Sequence, residues 1–384
     1  MNYDLVEFCF WLSACMIVYV YLGYPFCAFL LSKIMRRSVQ KDDIRPKVSI
    51  LIAAYNEESC IANTIQNKLL LDYPKELLEI IVISDGSTDK TDELVNDFSE
   101  HGVLLIRQEP RAGKTAALNK GVDHANGEII IFSDANSMYA SNTATYLVSC
   151  FADESVGYVS GKMIYVNPNG TMVGDGCSAY MRYENKLRAY ETKLGSVVGV
   201  DGGVDAMRRE LYTPLNPDQL PDFVQPLKVV EKGYRVVYEP KALLQEEVSK
   251  DESGEYRMRV RVALRALWAL WDMKSLLVGK VGLLFAWQLW SHKVLRYLCF
   301  FWLVVAFASN LFLTCTHHFY LATLLLQIAG YGVPLAPLRL KGASFAGKFV
   351  RFLRYFALLN LASAHALLKF LLGERLALWT PRKG

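Results

Sequence analysis

The chain has 384 residues, of which 52% are hydrophobic and 21% are charged, and its formal net charge is +4. This length and composition exclude a disulfide-stabilised mini-protein and a disordered chain, and the small net charge does not favour nucleic-acid binding. The charged fraction lies below the ~25% of a typical soluble domain. Together with a positive mean hydropathy, it favours membrane segments.

Apolar residues are concentrated in three stretches. Residues 8–32 contain no Asp, Glu, Lys or Arg and are long enough to cross a bilayer. Basic residues follow, so the positive-inside rule predicts an outside N-terminus and a cytoplasmic chain beyond Lys33. Residues 297–338 predict two further spans joined near His317 and His318. Residues 355–368 are short for a span and also fit a re-entrant or in-plane helix.

Between the first two apolar stretches, short apolar strands alternate with helices. Uninterrupted apolar strands separated by helices predict a parallel sheet that is covered on both faces. Ligands of such sheets bind at the carboxyl ends of the strands, so the residues that follow each strand are the candidates for a site. The predicted strands are 48–53, 78–84, 103–107 and 128–132, and the predicted helices end near 71, 100 and 125.

An aspartate follows each of two of these strands, and a third candidate aspartate lies further along the chain. Asp85 ends the second strand in a Ser-Asp-Gly-Ser-Thr-Asp turn, a sequence that also suits an Asx turn or a helix cap. Asp134 ends a later strand, and Asn136 follows it, so a carboxylate and an amide oxygen are available to one hard cation. Asp222 follows a glycine-rich segment, and a cap is again the simple alternative.

A glycine followed by a lysine precedes the third of the predicted helices. Residues 111–119, Arg-Ala-Gly-Lys-Thr-Ala-Ala-Leu-Asn, offer a flexible loop, the Lys114 cation and free N–H groups, which suit a phosphate. The segment is not a Walker loop, and no G-x-G-x-x-G follows the first strand, which excludes a Rossmann oxidoreductase. The cysteines show no metal-ligand spacing.

In combination, these motifs resemble the family 2 glycosyltransferases with a GT-A fold. The resemblance rests on Val-Ser-Ile-Leu-Ile-Ala-Ala-Tyr-Asn-Glu at 48–57, the Asp85 turn, 111–119 and the Ser-Asp-Ala-Asn turn at 133–136. Later motifs, including Asp-Gly-Gly at 201–203, are similar to the membrane polysaccharide synthases, such as the hyaluronan, cellulose and poly-N-acetylglucosamine synthases. The resemblance implies an α/β fold with a Rossmann-like, mostly parallel sheet, flanked by helices and joined to transmembrane and interfacial helices.

The resemblance also implies a role for each motif residue. The donor would be a UDP-sugar, with Asp85 on the uridine, and the cofactor would be Mg²⁺ or Mn²⁺. The general base would take a proton from the acceptor hydroxyl as that oxygen attacks the anomeric carbon, which inverts its configuration. The implied residues are Asn56, Glu57, Asp85, Lys114 and Arg261 for the nucleotide-sugar, Asp134 and Asn136 for the metal, and Asp222 for the base.

Two positions depart from the polysaccharide-synthase pattern. Val262 stands where the Gln-x-x-Arg-Trp motif has its tryptophan, with Arg261 as the motif arginine, and Pro221 replaces the acidic residue that usually precedes the base. These changes leave open whether the enzyme adds many sugars in succession to one product. Besides a polysaccharide synthase, the alternatives are therefore an enzyme that adds one sugar to a lipid carrier or glycolipid and an inactive scaffold subunit of an export complex.

The expected organisation is a multi-pass protein of the inner membrane with a cytoplasmic catalytic domain. Tryptophans interleaved with lysines after residue 264 favour interfacial helices. The expected partners are the donor, a glycan or lipid-linked acceptor, membrane lipids, and a second copy or an export subunit, without nucleic acid. The predicted divisions are 1–36, an N-terminal transmembrane helix; 46–263, the GT-A domain; 264–292, interfacial helices; and 293–384, a C-terminal transmembrane region.

Overall fold

The computed structural model describes residues 3–166, 172–247, 252–335 and 345–377. A mixed eight-stranded sheet lies at the centre of this part of the chain. Its strands are β1 Val48–Ala54, β2 Leu78–Asp85, β3 Val103–Gln108, β4 Ile129–Asp134, β5 Met138–Tyr139, β6 Val156–Val166, β7 Asp205–Arg208 and β8 Arg235–Glu247.

Helices surround the sheet and form both ends of the described chain. They are α1 Tyr3–Val18, α2 Tyr24–Met35, α3 Ile61–Leu69, α4 Thr91–Asn96, α5 Lys114–His124, α6 Thr143–Ser149, α7 Met172–Leu194, α8 Pro221–Glu231, α9 Glu252–Asp272, α10 Leu283–Leu289, α11 Leu295–Tyr297, α12 Cys299–Leu313, α13 His318–Leu335 and α14 Phe345–Leu371. Two short π-helical segments, Tyr19–Gly23 and Trp290–Val294, interrupt the helices.

The sheet has the strand order β3-β2-β1-β4-β7-β6-β8-β5. Strands β3, β2, β1 and β4 are parallel, as the sequence predicts. The apolar runs of β2, β1 and β4 are buried on both faces, whereas β3 lies at the edge of the sheet and is partly exposed. Ala53 pairs with Asp134 and Ala54 pairs with Ser84, so these strands end at the same edge. That edge carries the loops in which the candidate residues lie.

Two apolar layers cover the sheet. Ile50 and Ile52 of β1 face one buried cluster, which includes Ile61 of α3, whereas Leu51 faces the other, which includes Leu118 of α5. This alternation follows from the two-residue repeat of a strand. Both faces are therefore dry, and polar groups concentrate at the carboxyl edge.

The second half of the sheet adds an antiparallel element to the predicted parallel arrangement. The short strand β7 pairs antiparallel with β4 and β6, and β5 pairs antiparallel with β8. The sheet is thus mostly parallel, in agreement with the expected GT-A type. Strand β7 follows directly after Gly202 and Gly203, whose positive φ values of 74° and 75° allow the chain to reverse there.

One helical segment, Tyr3–Met35, is long and apolar enough to cross a membrane. The pair Leu283–Tyr297 and Cys299–Leu313 meets the same criteria only when joined across its 59° bend. No other helix in the described ranges meets them, so the two spans expected in 297–338 and the multi-pass topology stay predictions. Helix α13 does begin at His318, where the turn between those spans is expected.

Two of the predicted divisions fall within continuous helical structure. The boundary between 263 and 264 lies inside α9, and the boundary between 292 and 293 lies inside the π-helical segment Trp290–Val294. Helix α14 has 27 residues and contains the whole of 355–368, beginning ten residues earlier. Its Tyr355, Ala362 and Ala366 are buried, whereas its opposite face is exposed, which suits a helix packed on the catalytic domain on one side only.

Candidate active site

A cavity of about 340 Å³ lies at the carboxyl ends of the parallel strands. Helices α7, α8, α9 and α14 supply much of the rest of its wall, and Asp201, Lys293 and Tyr297 also line it. Asn56 and Asp85 are not part of its lining. The predicted residues that do line it are Glu57, Lys114, Asp134, Asn136, Asp222 and Arg261.

The turn that carries Asp134 is fixed by helix α3. Thr64 Oγ1 donates a hydrogen bond to the Ala135 carbonyl at 2.6 Å, and Lys68 Nζ donates to the Ser137 carbonyl at 2.5 Å. The Lys68 side chain is fully buried, which lowers the pKa of its ammonium well below the usual range. The Asp134 carboxylate is therefore presented to the cavity from a turn whose backbone oxygens are already satisfied.

Lys114 and Asp134 form an ion pair inside the cavity. Lys114 is the first residue of α5, and its ammonium donates a hydrogen bond to Asp134 Oδ1. Burial opposes the charged form of Lys114, but the carboxylates of Asp134 and Asp222 outweigh it and raise the pKa of the ammonium. The same cation thus lies near both carboxylates, which brings the metal and base candidates into one site.

Asp85 lies behind this loop rather than in the cavity. Its buried carboxylate accepts hydrogen bonds from Gln108 Nε2 at 2.6 Å, Ala112 N at 2.8 Å and Gly113 N at 2.9 Å. These contacts hold the backbone immediately before Lys114. The contact between Asp85 and uridine stays a prediction, and the geometry adds a second role in positioning Lys114.

Asn56 likewise joins two loops at the carboxyl edge. It adopts a positive φ of 53°, and its Oδ1 accepts a hydrogen bond from the Thr88 backbone N–H at 2.8 Å. The neighbouring Glu57 lines the cavity, and its burial raises the pKa of the carboxyl group to about 7. This pair therefore connects the end of β1 to the turn that follows β2.

Asp222 lies in the first turn of α8, and two other segments fix it. Arg265 of α9 donates hydrogen bonds to the carbonyls of Asp218 at 2.9 Å and Pro217 at 3.1 Å, which holds the loop before the helix. A Cβ atom at Gly202 would lie 2.7 Å from Asp222 Oδ2, so this close approach requires glycine. Arg265 has a structural role that the sequence analysis did not assign.

The three arginines that the helical repeat places on one face of α9 have different surroundings. Arg257 is exposed, whereas Arg261 and Arg265 both line the cavity. Arg265 is also buried and donates its hydrogen bonds to the loop before Asp222. Val262 also lines the cavity, at the position where a tryptophan is expected. The choice of Arg261 as the ligand-facing arginine is therefore consistent with the geometry.

A buried network of charged residues borders the cavity, and the sequence analysis missed it. Arg188 of α7 forms an ion pair with Asp201, and His292 bridges Glu191 at 2.7 Å and Glu184 at 3.1 Å. The spacing of Glu184, Arg188 and Glu191 on one helix face was the available signal. Their partners lie up to about a hundred residues away, so the sequence alone did not pair them.

Asp205 is another buried carboxyl group that no sequence motif indicated. It is the first residue of β7, and its Oδ2 accepts a hydrogen bond from the Gly202 backbone N–H at 3.1 Å. Burial, with the nearby Asp201 and Asp222 charges, raises the pKa of Asp205 from 3.8 to about 7. The carboxyl group is therefore mostly protonated in the folded protein below that pH.

We expect Asp205→Asn to reduce the pH dependence of stability. Because the folded pKa is above the unfolded one, the stabilisation by protonated Asp205 is complete below pH 3.8 and is lost as the pH rises through about 7. Because the two pKa values differ by about three units and each unit corresponds to about 1.4 kcal/mol, the advantage of the wild-type protein should fall over that range by on the order of 4 kcal/mol. Denaturation of the full chain in detergent, without divalent metal, measures this difference, with Asp123→Asn as the surface control. An unchanged difference between wild type and variant across this range would contradict the prediction.

The residues present fit a divalent cation only when the donor supplies part of its coordination. In the described ranges, no group of three or more His, Cys, Asp or Glu side chains is close enough to hold a metal ion. Asp134 and Asn136 face the same cavity and offer two oxygen ligands. Mg²⁺ sites of this kind use one or two protein carboxylates and complete the shell with substrate phosphates and water.

Sequence comparison identifies relatives of the sheet domain. Residues 49–212 match the family model for glycosyl transferase family 2. The probable glycosyltransferase YdaM of Bacillus subtilis is 32% identical over 57% of this chain and 54% of that protein. The beta-monoglucosyldiacylglycerol synthase of Nostoc is 34% identical over 43% of this chain and 36% of that enzyme. The chain thus spans about half the length of the first of these relatives and about a third of the length of the second.

A longer match and a solved structure extend the likeness beyond that domain. The poly-beta-1,6-N-acetyl-D-glucosamine synthase of Staphylococcus epidermidis is 26% identical over 74% of this chain and 73% of that enzyme. A mannosyltransferase from Pyrobaculum calidifontis, solved with GDP-Man and Mn²⁺, has a TM-score of 0.73 over 94% of this chain and 99% of its own, at 24% identity, and shares the fold. Residues 49–212 therefore match the family model for glycosyl transferase family 2, and the relatives of the chain include a protein named as a polysaccharide synthase.

Proposed function

We propose that the chain is a membrane-bound, inverting hexosyltransferase that uses a UDP-sugar to extend a cell-surface polysaccharide. One observation carries this proposal: Asp134, Lys114 and Asp222, from three separate elements, face a single cavity at the carboxyl edge of the sheet. The relative from Staphylococcus epidermidis, named as a polysaccharide synthase, supports the product class. The apolar segment Tyr3–Met35 supports membrane attachment.

The donor's diphosphate would bind on the Lys114 side of the cavity. Asp85 fixes the loop before Lys114, so the ammonium reaches the donor without reordering the backbone. Arg261 would supply a second cation. Asp134 and Asn136 would hold Mg²⁺ or Mn²⁺, which, when bound, offsets the charge that develops on the leaving nucleoside diphosphate.

Asp222 would act as the general base of a single displacement. Its carboxylate takes the proton of an acceptor hydroxyl while that oxygen forms a bond to the anomeric carbon. The bond from this carbon to the diphosphate breaks on the opposite face, and its electron pair leaves with the nucleoside diphosphate. Gly202 lies directly against Asp222, so the carboxylate has little freedom to turn away.

Transfer of a single sugar to a lipid is the second candidate function. Val262 lines the cavity where polysaccharide synthases have a tryptophan, so a wide aromatic surface for the acceptor sugar is lacking at that position. Leu359 and Ala362 of α14 give the cavity an apolar wall. The Nostoc relative is named as a glycolipid synthase, which agrees with this alternative.

Incubation of the purified full chain with nucleotide-sugars tests both candidates. The donors are UDP-glucose, UDP-N-acetylglucosamine, UDP-galactose and GDP-mannose, each with Mg²⁺, Mn²⁺ or a chelator, in the presence of membrane lipids. We expect release of UDP that depends on the metal, and product mass separates a polymer from a single addition. Release of GDP alone would contradict the UDP assignment, and no turnover with any donor would favour the scaffold alternative.

A further inference from the structure

The ammonium of Lys293 faces the cavity without an ionic partner. Lys293 is the fourth residue of the π-helical segment Trp290–Val294, and no hydrogen bond or ion pair joins its side chain to any residue in the described ranges. Its Nζ lies 5.6 Å from the ring centroid of Phe223, the residue after Asp222. Lys293 therefore brings a positive charge next to the segment that carries the proposed base.

The backbone at Gly199 leaves room for this ammonium. A Cβ atom at Gly199 would lie 2.2 Å from Lys293 Nζ, so any larger residue would displace the lysine. Gly199 does not have a positive φ, so glycine is not required there for the backbone itself. Glycine at this position instead leaves the space that the Lys293 side chain occupies.

The other charges at this end of the cavity are already satisfied within the protein. Arg188 is paired with Asp201, and Glu184 accepts hydrogen bonds from His292 and Arg296. Lys114, at the strand ends, is paired with Asp134. The carboxylates of Glu184 and Glu191 act on Lys293 electrostatically but form no salt bridge with it, since their hydrogen bonds go to other residues. A ligand could therefore supply the direct ionic contact that the Lys293 ammonium lacks, and a partly buried ammonium without such a contact is costly.

Apolar and aromatic side chains form part of the wall at this end of the cavity. Tyr297 lies one helical turn beyond Lys293 and directly precedes the segment that leads into α12. Leu359 and Ala362 of α14 form another part of the wall. Large apolar side chains of these helices are exposed on their outer faces, including Val304 and Leu361, so this end adjoins the segments proposed to contact lipid.

We propose that Lys293 binds a phosphoryl group of a lipid-anchored acceptor and so brings the acceptor's reacting hydroxyl to Asp222. This inference rests on the proposed transfer reaction and adds the chemical class of the acceptor. The buried pairs of His292 with Glu184 and Glu191 fix the segment that carries Lys293. The acceptor's hydrocarbon chain lies along the apolar wall, whereas the donor occupies the Lys114 side.

Binding of three probes to the full chain in neutral detergent tests this inference without requiring turnover. Farnesyl phosphate has the phosphoryl group and a chain, farnesol has the chain alone, and inorganic phosphate has the group alone. We expect farnesyl phosphate to bind at least tenfold more tightly than either of the others. Lys293→Met should remove this advantage and leave UDP affinity unchanged within twofold. Gly199→Ala should weaken farnesyl phosphate binding by displacing the ammonium.

Lys280→Met is the matched control, because Lys280 is exposed, pairs with Glu231 and lies outside the cavity. An equal loss in Lys280→Met would attribute binding to general surface charge and overturn the inference. Unchanged farnesyl phosphate binding in Lys293→Met, or a loss of UDP affinity instead, would also overturn it. If inorganic phosphate binds as tightly as farnesyl phosphate, the site does not recognise the lipid chain, and the proposed lipid-anchored acceptor is excluded. Failure to turn over any donor would contradict the proposed function alone.

Discussion

We expect Asp222→Asn to lower the kcat of sugar transfer by about 10²- to 10⁴-fold. The amide has nearly the same shape as the carboxylate but cannot take the proton of the acceptor hydroxyl. Asp222 does not pair with Lys114, whose hydrogen bond goes to Asp134, so the donor side should stay intact. The affinity for UDP should therefore remain within about twofold of the wild-type value. Initial rates of UDP release and equilibrium UDP binding, both on the full chain, check the two halves of this expectation.

Asp218→Asn provides the matched control for this variant. Asp218 lies four residues earlier in the same loop, and its carboxylate pairs with Arg375 rather than facing the cavity. The same chemical change there should leave kcat within about twofold, because exposed ion pairs contribute little. If Asp222→Asn transfers sugar at the wild-type rate, Asp222 is not the base. If both variants lose activity and UDP binding together, the loop has been disturbed and the loss does not report on proton transfer.

Gly202→Ala probes the same carboxylate from the other side. The positive φ of 74° and the 2.7 Å approach of a Cβ atom to Asp222 Oδ2 both oppose any side chain at this position. We expect a loss of kcat of about tenfold or more, together with a lower unfolding midpoint. The measured midpoint separates strain from catalysis, since Asp222→Asn should change the rate without a comparable loss of stability.

The parallel half of the fold could be predicted from the sequence, because its signals are local. Strands β1, β2, β3 and β4 are continuous apolar runs, and each ends in a turn whose residues are legible in sequence. Their common carboxyl edge follows from parallel pairing alone, which is why Asp134 and Lys114 could be expected in one site. The antiparallel strand β7 has only four residues and depends on the Gly202 turn. It is too short for a recognisable pattern of apolar residues, so the sequence did not indicate it.

The surroundings of the candidate residues could not be predicted in the same way, because they depend on distant partners. Asp85 follows a strand as expected, but its hydrogen-bond donors Gln108 and Gly113 belong to another strand and loop. Their spacing from Asp85 in sequence gives no sign that its carboxylate accepts hydrogen bonds from both of them. Lys293 was visible only as a basic residue flanking an apolar run, and its place in the cavity depends on the buried contacts of the neighbouring His292 with Glu184 and Glu191 of α7.

Asp134→Asn is expected to remove the metal dependence of the reaction and to lower kcat/KM by about 10²- to 10³-fold. The other proposed protein ligand is the neutral Asn136 amide, so this substitution removes the only charged protein ligand that we assign to the cation. The variant also leaves the Lys114 ammonium without its partner, which should increase affinity for UDP when no metal is present. Titration of UDP with and without Mn²⁺ measures both effects.

Lys114→Met distinguishes loss of the metal from loss of the ion pair. This variant breaks the same Lys114–Asp134 contact but keeps the carboxylate, so Mn²⁺ should still strengthen UDP binding while the affinity without metal falls. The two variants are thus expected to change metal-free UDP binding in opposite directions. If Mn²⁺ strengthens UDP binding to Asp134→Asn as much as to the wild type, the cation is held elsewhere. The Lys114–Asp134 pair would then be a structural contact at the cavity edge rather than part of the donor site.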